Sequence, residues 1–98
     1  MERKEAFGVA LRLARNAQGL SQDSFGDVSG RTYIGAVESG RKNPTVEKVS
    51  EFASVLGLHP LTLLALAFSL AEDVPPNALL KNCKAELTQL LKEIDKAG

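Results

Sequence analysis

The 98-residue sequence has few of the side chains that build disulfides, metal centres or catalytic sites. Cys83 is the only cysteine and His59 the only histidine, and these two residues can form neither an internal disulfide nor a zinc site. No Ser-His-Asp set, paired carboxylates or glycine-rich phosphate loop occurs beside them. We therefore expect no enzymatic activity, no metal and no cofactor. Cys83 is predicted to be a buried, inert thiol, and His59 is predicted to mark the start of a helix.

The sequence also lacks an excess of charge of either sign. Twelve Lys and Arg residues balance twelve Asp and Glu residues, which argues against a uniformly basic surface that would bind nucleic acid non-specifically. The balance differs between the halves, because residues 1–48 hold eight Lys/Arg and six Asp/Glu, whereas residues 49–98 hold four and six. The N-terminal half is thus the predicted side for an anionic partner.

No hydrophobic run is long enough to cross a bilayer. The most apolar stretch, residues 61–71, is far shorter than the about 20 residues that a spanning helix needs. The first residues, MERKEAFG, have none of the apolar core of a signal peptide. Together with the single cysteine, these absences predict a cytoplasmic protein.

What the sequence does contain is helical periodicity. Apolar residues recur at helical spacing, glycine and proline punctuate them, and no strand-like alternation occurs. The predicted fold class is all-α. The predicted elements are five helices over residues 3–18, 21–28, 30–39, 46–56 and 60–71, a linker over 72–77, and a final amphipathic helix over 77–96.

The third predicted helix has an unusual outer face. By the helical period, its inward positions are Ile34, Val37 and Glu38. Its outward arc has none of the Lys and Glu residues that usually solvate an exposed helix. That arc consists of Thr32, Gly35, Ala36 and Ser39, with Arg31 and Tyr33 on either side of the N-terminal end. We expect a flat or grooved partner to lie against this arc.

Two short helices joined by a tight turn are typical of the helix-turn-helix motif. The segments LSQDSF (20–25), RTYIGAVESGRKNPT (31–45) and EKVSEFASVLGLHPLTLL (47–64) resemble the Cro/phage-repressor family, also called the xenobiotic-response-element type. The resemblance spans about residues 7–66 and implies a five-helix, lambda-repressor-like DNA-binding domain, which we assign to residues 1–71. The segment that joins the two helices is shorter than in most members, so a tight turn at Ser29-Gly30 is predicted.

The resemblance also implies which residues contact double-stranded DNA. The third helix takes the position of the recognition helix, whose N-terminal residues face base edges in the major groove. Arg31 suits guanine O6 and N7, Ala36 suits a thymine methyl, and the loop after the helix suits phosphates. An inward ion pair between Arg15 and Glu38 is implied as well. The full predicted set of DNA contacts is Gln22, Arg31, Thr32, Tyr33, Gly35, Ala36, Ser39, Arg41, Lys42 and Asn43.

The final helix carries an apolar seam with the heptad spacing of a coiled coil. Alternating steps of 3 and 4 residues separate Leu80, Cys83, Leu87, Leu90 and Ile94. Such a seam either folds back on the fourth and fifth helices as core or pairs with a second copy. We favour a twofold homodimer, because the fifth helix is apolar nearly all round. Its predicted interface comprises Leu66, Phe68, Leu80, Cys83, Leu87, Leu90, Leu91 and Ile94.

These features predict a small DNA-binding transcriptional regulator, most simply a repressor, that binds a palindromic operator as a homodimer. The same domain serves antitoxins and restriction-modification controllers, so both are alternatives, and an antitoxin would have a toxin as its protein partner. A third alternative is a protein-interaction module of this fold without DNA binding, which the neutral net charge leaves open.

Overall fold

The structure, a computed structural model, describes all residues from Met1 to Gly98, and its regular elements are all helical. The helices are α1 (Arg3–Ala17), a 3₁₀ helix (Gln22–Phe25), α2 (Arg31–Glu38), α3 (Val46–Leu56), α4 (Pro60–Glu72) and α5 (Pro76–Ala97). The all-α prediction is confirmed, and α1 to α5 begin and end within one residue of the predicted positions.

The predicted helix over 21–28 is wrong, because this segment forms only one turn of 3₁₀ helix. The backbone N–H groups of Val28 and Ser29 both donate to the Phe25 carbonyl, at 3.1 and 2.8 Å, so the chain turns at once. Phe25 is fully buried and anchors this turn in the core. The segment has too few residues for both a full helix and a reversal, and the first helix of the motif is the part that is shortened.

A single apolar core lies between α1, α2, α3 and α4. The ring of Phe25 meets Phe52 edge to face, with 5.9 Å between the ring centroids. α1 packs most extensively on α4, so these two helices form the base against which α2 and α3 lie. The other core side chains are Phe7, Ala10, Leu11, Ala14, Ile34, Val37, Val49, Leu56, Leu63 and Ala67.

The helix ends follow local sequence signals. The Thr45 hydroxyl accepts a hydrogen bond from the Lys48 backbone N–H at 3.2 Å and caps α3. His59 Nδ1 accepts from the Leu61 backbone N–H at 3.0 Å, which confirms the prediction that His59 marks a helix start. α3 ends at Gly57, whose φ of 72° lies in the left-handed region that glycine adopts without a Cβ penalty.

The carboxylate of Glu38 joins α1, the 3₁₀ helix and α2. Glu38 is only 4% exposed, and Arg15 contacts it at two points, with Nε 2.7 Å from Oε2 and Nη2 3.0 Å from Oε1. The Gln22 side-chain amide also donates to Oε1, at 3.0 Å, and Arg12 Nη2 donates to the Glu38 backbone carbonyl at 3.0 Å. The predicted Arg15–Glu38 pair is therefore confirmed, and we call these four residues the Glu38 clamp.

The contribution of Arg15 to the clamp does not change with pH near neutrality. The hydrogen bond to Glu38 raises the pKa of Arg15, while burial works in the opposite direction. A group with a raised pKa in the folded state contributes its stability at every pH below its ordinary pKa and loses it only as the pH rises through the raised value. For an arginine, that loss occurs only in strong alkali.

α1 and α2 approach each other closely at Gly8. A Cβ placed on this glycine would lie 2.4 Å from the Val37 carbonyl oxygen and 2.7 Å from the Glu38 carbonyl oxygen. Atoms do not tolerate such distances, so the missing side chain lets the end of α2 sit against α1 at the depth that the Glu38 clamp requires.

α5 extends away from the rest of the fold. None of its residues is buried, and among the other helices it packs mainly against α4. The alternative that the seam folds back as core is therefore wrong for the single chain, and Cys83 is exposed, which contradicts the predicted buried thiol. The large apolar residues of the seam and the neighbouring Leu91 are 44–60% exposed, and those of the seam are Leu80, Leu87, Leu90 and Ile94.

The two predicted interface residues of α4 lie on different sides of that helix. Leu66 lines a groove that it shares with Leu80 of α5, whereas Phe68 lines a second groove with Phe7 and Val46. Positions two residues apart on a helix point about 200° apart, which explains the separation. Leu66 is thus continuous with the seam of α5, and Phe68 is not.

No single helix is both long and apolar enough to span a membrane. Only α3 and α4 taken together would reach that length and hydropathy, and a bend of 107° separates them.

The close approach at Gly8 predicts an unusual effect of alanine in a helix interior, where alanine is ordinarily favoured over glycine by about 1 kcal/mol. We expect Gly8→Ala to lower the free energy of unfolding by about 1–3 kcal/mol, because the new methyl group meets two backbone oxygens. Urea denaturation measures this. The control is Gly26→Ala, at an exposed glycine with φ −57° and ψ −30°, where the new Cβ would meet only the Asp23 carbonyl oxygen, at 3.3 Å, and we expect a much smaller effect. A stabilised Gly8→Ala variant would contradict the close approach.

The Glu38 clamp predicts that Glu38→Gln is strongly destabilising. Removing the negative charge leaves the mostly buried Arg15 guanidinium without its counter-ion, at a cost of about 3 kcal/mol in the free energy of unfolding. The matched control is Glu93→Gln, because Glu93 pairs with Lys96 on the exposed face of α5, where an ion pair contributes little. Equal effects of the two substitutions in urea denaturation would show that the clamp does not stabilise the fold.

Candidate nucleic-acid interface

The outer face of α2 and the loop that follows it are open to solvent. Ile34, Val37 and Glu38 are buried, as the helical period predicts. The exposed or partly exposed residues on the other side continue past the end of the helix into the loop. We call them the α2 surface, and they are Arg31, Thr32, Gly35, Ser39, Arg41, Lys42 and Asn43.

Ala36 does not belong to this surface, and its predicted outward position is wrong. It is only 9% exposed. The chain after α2 turns back onto it, because the backbone N–H groups of Arg41 and Lys42 both donate to the Ala36 carbonyl, at 2.8 and 3.2 Å. The helical period alone places Ala36 on the outer arc, so it does not predict this burial. In this conformation its methyl group is not available to a thymine.

Gln22 is turned inward. Its amide nitrogen is used in the Glu38 clamp, and the residue is only partly exposed. Its amide oxygen lies 4.0 Å from where a Cβ on Gly35 would be, so the side chain passes beside the outer arc of α2. Gln22 therefore borders the α2 surface while its hydrogen bond is made to the protein itself.

Tyr33 is partly buried between α2 and α3. Its ring lies 6.2 Å from the ring of Phe52, centroid to centroid, and the Lys48 ammonium lies 5.9 Å from its ring centroid. The ring thus contributes to helix packing, and the predicted position flanking the outward arc corresponds only to its exposed part.

Lys48 is a residue that sequence reasoning missed. Its ammonium group donates to the Val28 carbonyl at 2.6 Å and pairs with Glu51 at 2.9 Å. It joins α3 to the turn that precedes α2. A lysine in the first turn of an amphipathic helix is ordinary in sequence, so only the three-dimensional arrangement reveals the contact.

Positive charge concentrates on the α2 surface. Arg31 Nη1 lies 3.7 Å from Asp23 Oδ1, but both side chains are more than 70% exposed, so this pair is weak and Arg31 can exchange it for another anion. Arg41 Nε donates to the Ser39 hydroxyl at 2.9 Å, which keeps the guanidinium beside the end of α2. Lys42 is exposed and forms no ion pair.

The other nearby cations make contacts within the protein. Arg12 and Arg15 belong to the Glu38 clamp, and Lys48 pairs with Glu51. The N-terminal turn of α2 can therefore present an arginine and a hydroxyl to a partner, while two further cations follow at the C-terminal end. Such a surface suits a groove with anionic walls, in which hydrogen-bonding edges lie at the bottom.

Comparison with known proteins finds a control protein and a restriction-modification controller protein among those similar to this chain. The chain is 38% identical over 58 residues to the control protein C.SmaI from Serratia marcescens, a match that covers 57% of this chain and 69% of that protein. It is also similar to the crystal structure of the restriction-modification controller protein C.AhdI from Aeromonas hydrophila, with 34% identity and a TM-score of 0.57 over 60% of this chain and 92% of that chain.

Two structures of the clp gene regulator ClgR from Corynebacterium glutamicum are similar as well. One matches with 25% identity and a TM-score of 0.65 over 70% of this chain and 92% of that chain. The other matches with 22% identity and a TM-score of 0.68 over 94% of this chain and 93% of that chain. The second likeness concerns the fold alone, and its extent means that most of α5 is included.

The helix-turn-helix family model matches residues 11–63. This range covers more than half of the chain and includes the whole Glu38 clamp and the whole α2 surface, so the resemblance drawn from the sequence is confirmed. The chain belongs to the helix-turn-helix family of DNA-binding regulators, of the xenobiotic-response-element type.

Proposed function

We propose that this protein regulates transcription by inserting α2 into the major groove of operator DNA. The observation that carries the proposal is the charge distribution, since a protein of zero net charge leaves exposed cations at both ends of one solvent-facing helix. That helix occupies the second position of a helix-turn-helix fold, where family members hold their recognition helix. Occupying a promoter in this way would make the protein a repressor, acting in the cytoplasm.

The proposed contacts divide into two classes. Arg31 and Thr32, in the first turn of α2, contact base edges, with Arg31 bidentate to guanine. Arg41, Lys42 and Asn43 contact phosphates and set the register on the duplex. Gly35 and Ser39 allow close approach of the helix. We assign Gln22 and Tyr33 to the positioning of α2, because both are engaged within the protein.

We further propose that residues 1–71 bind DNA and that residues 72–98 form a linker and a dimerisation helix. The exposed seam of α5 is continuous with Leu66 through Leu80, which makes one apolar surface that a twofold mate covers. Cys83 lies on this seam and would be covered with it. Phe68 is left out of the proposed interface, because it lies on the other side of α4. Two copies would place their recognition helices about 34 Å apart on a palindrome.

A more specific role is favoured by the relatives. C.SmaI is a control protein and C.AhdI is a restriction-modification controller, both above 30% identity to this chain. We therefore propose, as the second candidate, that the regulated promoter belongs to a restriction-modification system. Selection of bound sites from random duplex DNA tests both proposals, because it reports the half-site, its spacing and its symmetry. The selected palindrome should then occur upstream of restriction or methyltransferase genes.

The assignment of contacts predicts different behaviour for Arg31→Ala and Lys42→Ala. Arg31→Ala should relax the preference at one base pair of each half-site by about 1–3 kcal/mol, because a base contact is lost. Lys42→Ala should weaken binding to all duplexes alike and reduce the slope of log affinity against log salt concentration by about 1 per subunit. Fluorescence anisotropy over a salt series measures both. An Arg31→Ala variant with unchanged base preference would show that Arg31 does not contact a base edge.

The proposed dimer predicts that Leu87→Glu and Leu90→Glu together convert the protein to a monomer. Two negative charges on the seam cannot be covered by a second apolar helix without a large desolvation cost. Analytical ultracentrifugation measures the mass, and affinity for a full palindrome should fall to that for a half-site. The control is Thr88→Glu, on the same helix but off the seam, which should remain dimeric. A wild-type protein that sediments as a monomer would contradict the dimer.

A further inference from the structure

The turn that leads into α2, residues 26–30, receives a single hydrogen bond from another element of the fold. Residues 26–30 make backbone hydrogen bonds only to their own neighbours in the chain, such as those from Val28 and Ser29 to the Phe25 carbonyl. The one bond from another element comes from α3, where the Lys48 ammonium donates to the Val28 carbonyl at 2.6 Å. The position of this turn against the rest of the fold therefore depends on the polar contact of Lys48 and on the apolar packing of Phe25 and Val28.

The charge of Lys48 is already neutralised within the protein. Glu51, one turn further along α3, lies 2.9 Å away through Oε2, and this oxygen has no other polar partner and no contact with solvent. The Lys48 side chain is only 34% exposed. Lys48 therefore differs from Lys42, which is exposed and unpaired, and is poorly suited to bind a phosphate.

The same ammonium group also reaches the first turn of α2. It lies 5.9 Å from the centroid of the Tyr33 ring, which in turn packs on Phe52 of α3. One side chain thus contacts the residue three positions before Arg31 and the residue two positions after it. The two ends of the segment that carries Arg31 and Thr32 are fixed against α3 by the same charged group.

We infer that Lys48 is a positioning residue. Without touching DNA, it increases the preference of the protein for its operator over other DNA sequences. This inference rests on the proposed function of α2. A base contact tolerates displacement of only about 0.5 Å, so release of the turn lowers the fit of Arg31 and Thr32 to base edges. Phosphate contacts made by the loop after α2 lie at the other end of the helix and stay in place.

The test uses the double variant Lys48→Met/Glu51→Gln. Methionine keeps the length and packing of the lysine stem, glutamine prevents an unpaired buried carboxylate, and the net charge of the protein does not change. The control is Glu51→Gln alone, which keeps the bond from Lys48 to Val28. Thermal unfolding first establishes that each variant is folded. Affinity is then measured for the operator selected by the wild type and for a random duplex of equal length, over a salt series.

We expect the double variant to bind the operator about tenfold more weakly, with random-duplex affinity changed less than about twofold and an unchanged salt slope. Without DNA, hydrogen exchange at the Val28 and Ser29 amides should be faster than in the wild type and in Glu51→Gln.

An unchanged operator-to-random ratio in the double variant would overturn the inference while leaving the proposed function intact. Equal losses on both duplexes together with a shallower salt slope would also overturn it, because Lys48 would then be a phosphate ligand. A wild-type protein that bound neither duplex would overturn the proposed function and the inference together.

Discussion

The buried carboxylate of Glu38 is the interaction on which the placement of α2 depends. It receives hydrogen bonds from α1 through Arg15 and from the 3₁₀ helix through Gln22. α2 has only 8 residues, fewer than the about 12–15 that an isolated helix needs, so its conformation must be stabilised by contacts with the rest of the fold. The clamp holds its C-terminal end against α1 where Gly8 allows close approach, and the contact of Lys48 with Val28 holds the other end.

The protein has two exposed surfaces of different chemistry, one cationic on α2 and one apolar on α5. The clamp engages Arg12 and Arg15 and Glu51 engages Lys48, while the α2 surface carries three exposed cations and no carboxylate. The half of the molecule that carries excess acid ends in α5, whose apolar seam has no cover within the chain. The two exposed surfaces thus differ in chemistry, and we propose DNA for one and a second copy for the other.

Much of this could be predicted from the sequence, because helical periodicity and capping residues act locally. The bounds of α1 to α5 and the burial of Ile34, Val37 and Glu38 in α2 were predicted in this way. What was missed depends on neighbours distant in the chain. Ala36 is buried although the helical period places it outward, the segment around the buried Phe25 forms only one 3₁₀ turn, and the α3 contacts of Lys48 leave no sequence pattern. The exposure of Cys83 reflects a seam that no element of the same chain covers.

Whether α2 meets DNA can be measured by titrating the isotopically labelled protein with the selected operator duplex and following the amide signals by NMR. We expect the shifts to concentrate in residues 31–35 and 41–43, whereas the amides of the buried core change little. The Glu38 region should keep its free-state environment, because the clamp is preformed. Shifts centred on α4 or on a face away from α2, or no shifts at low salt, would show that α2 is not the DNA-binding helix.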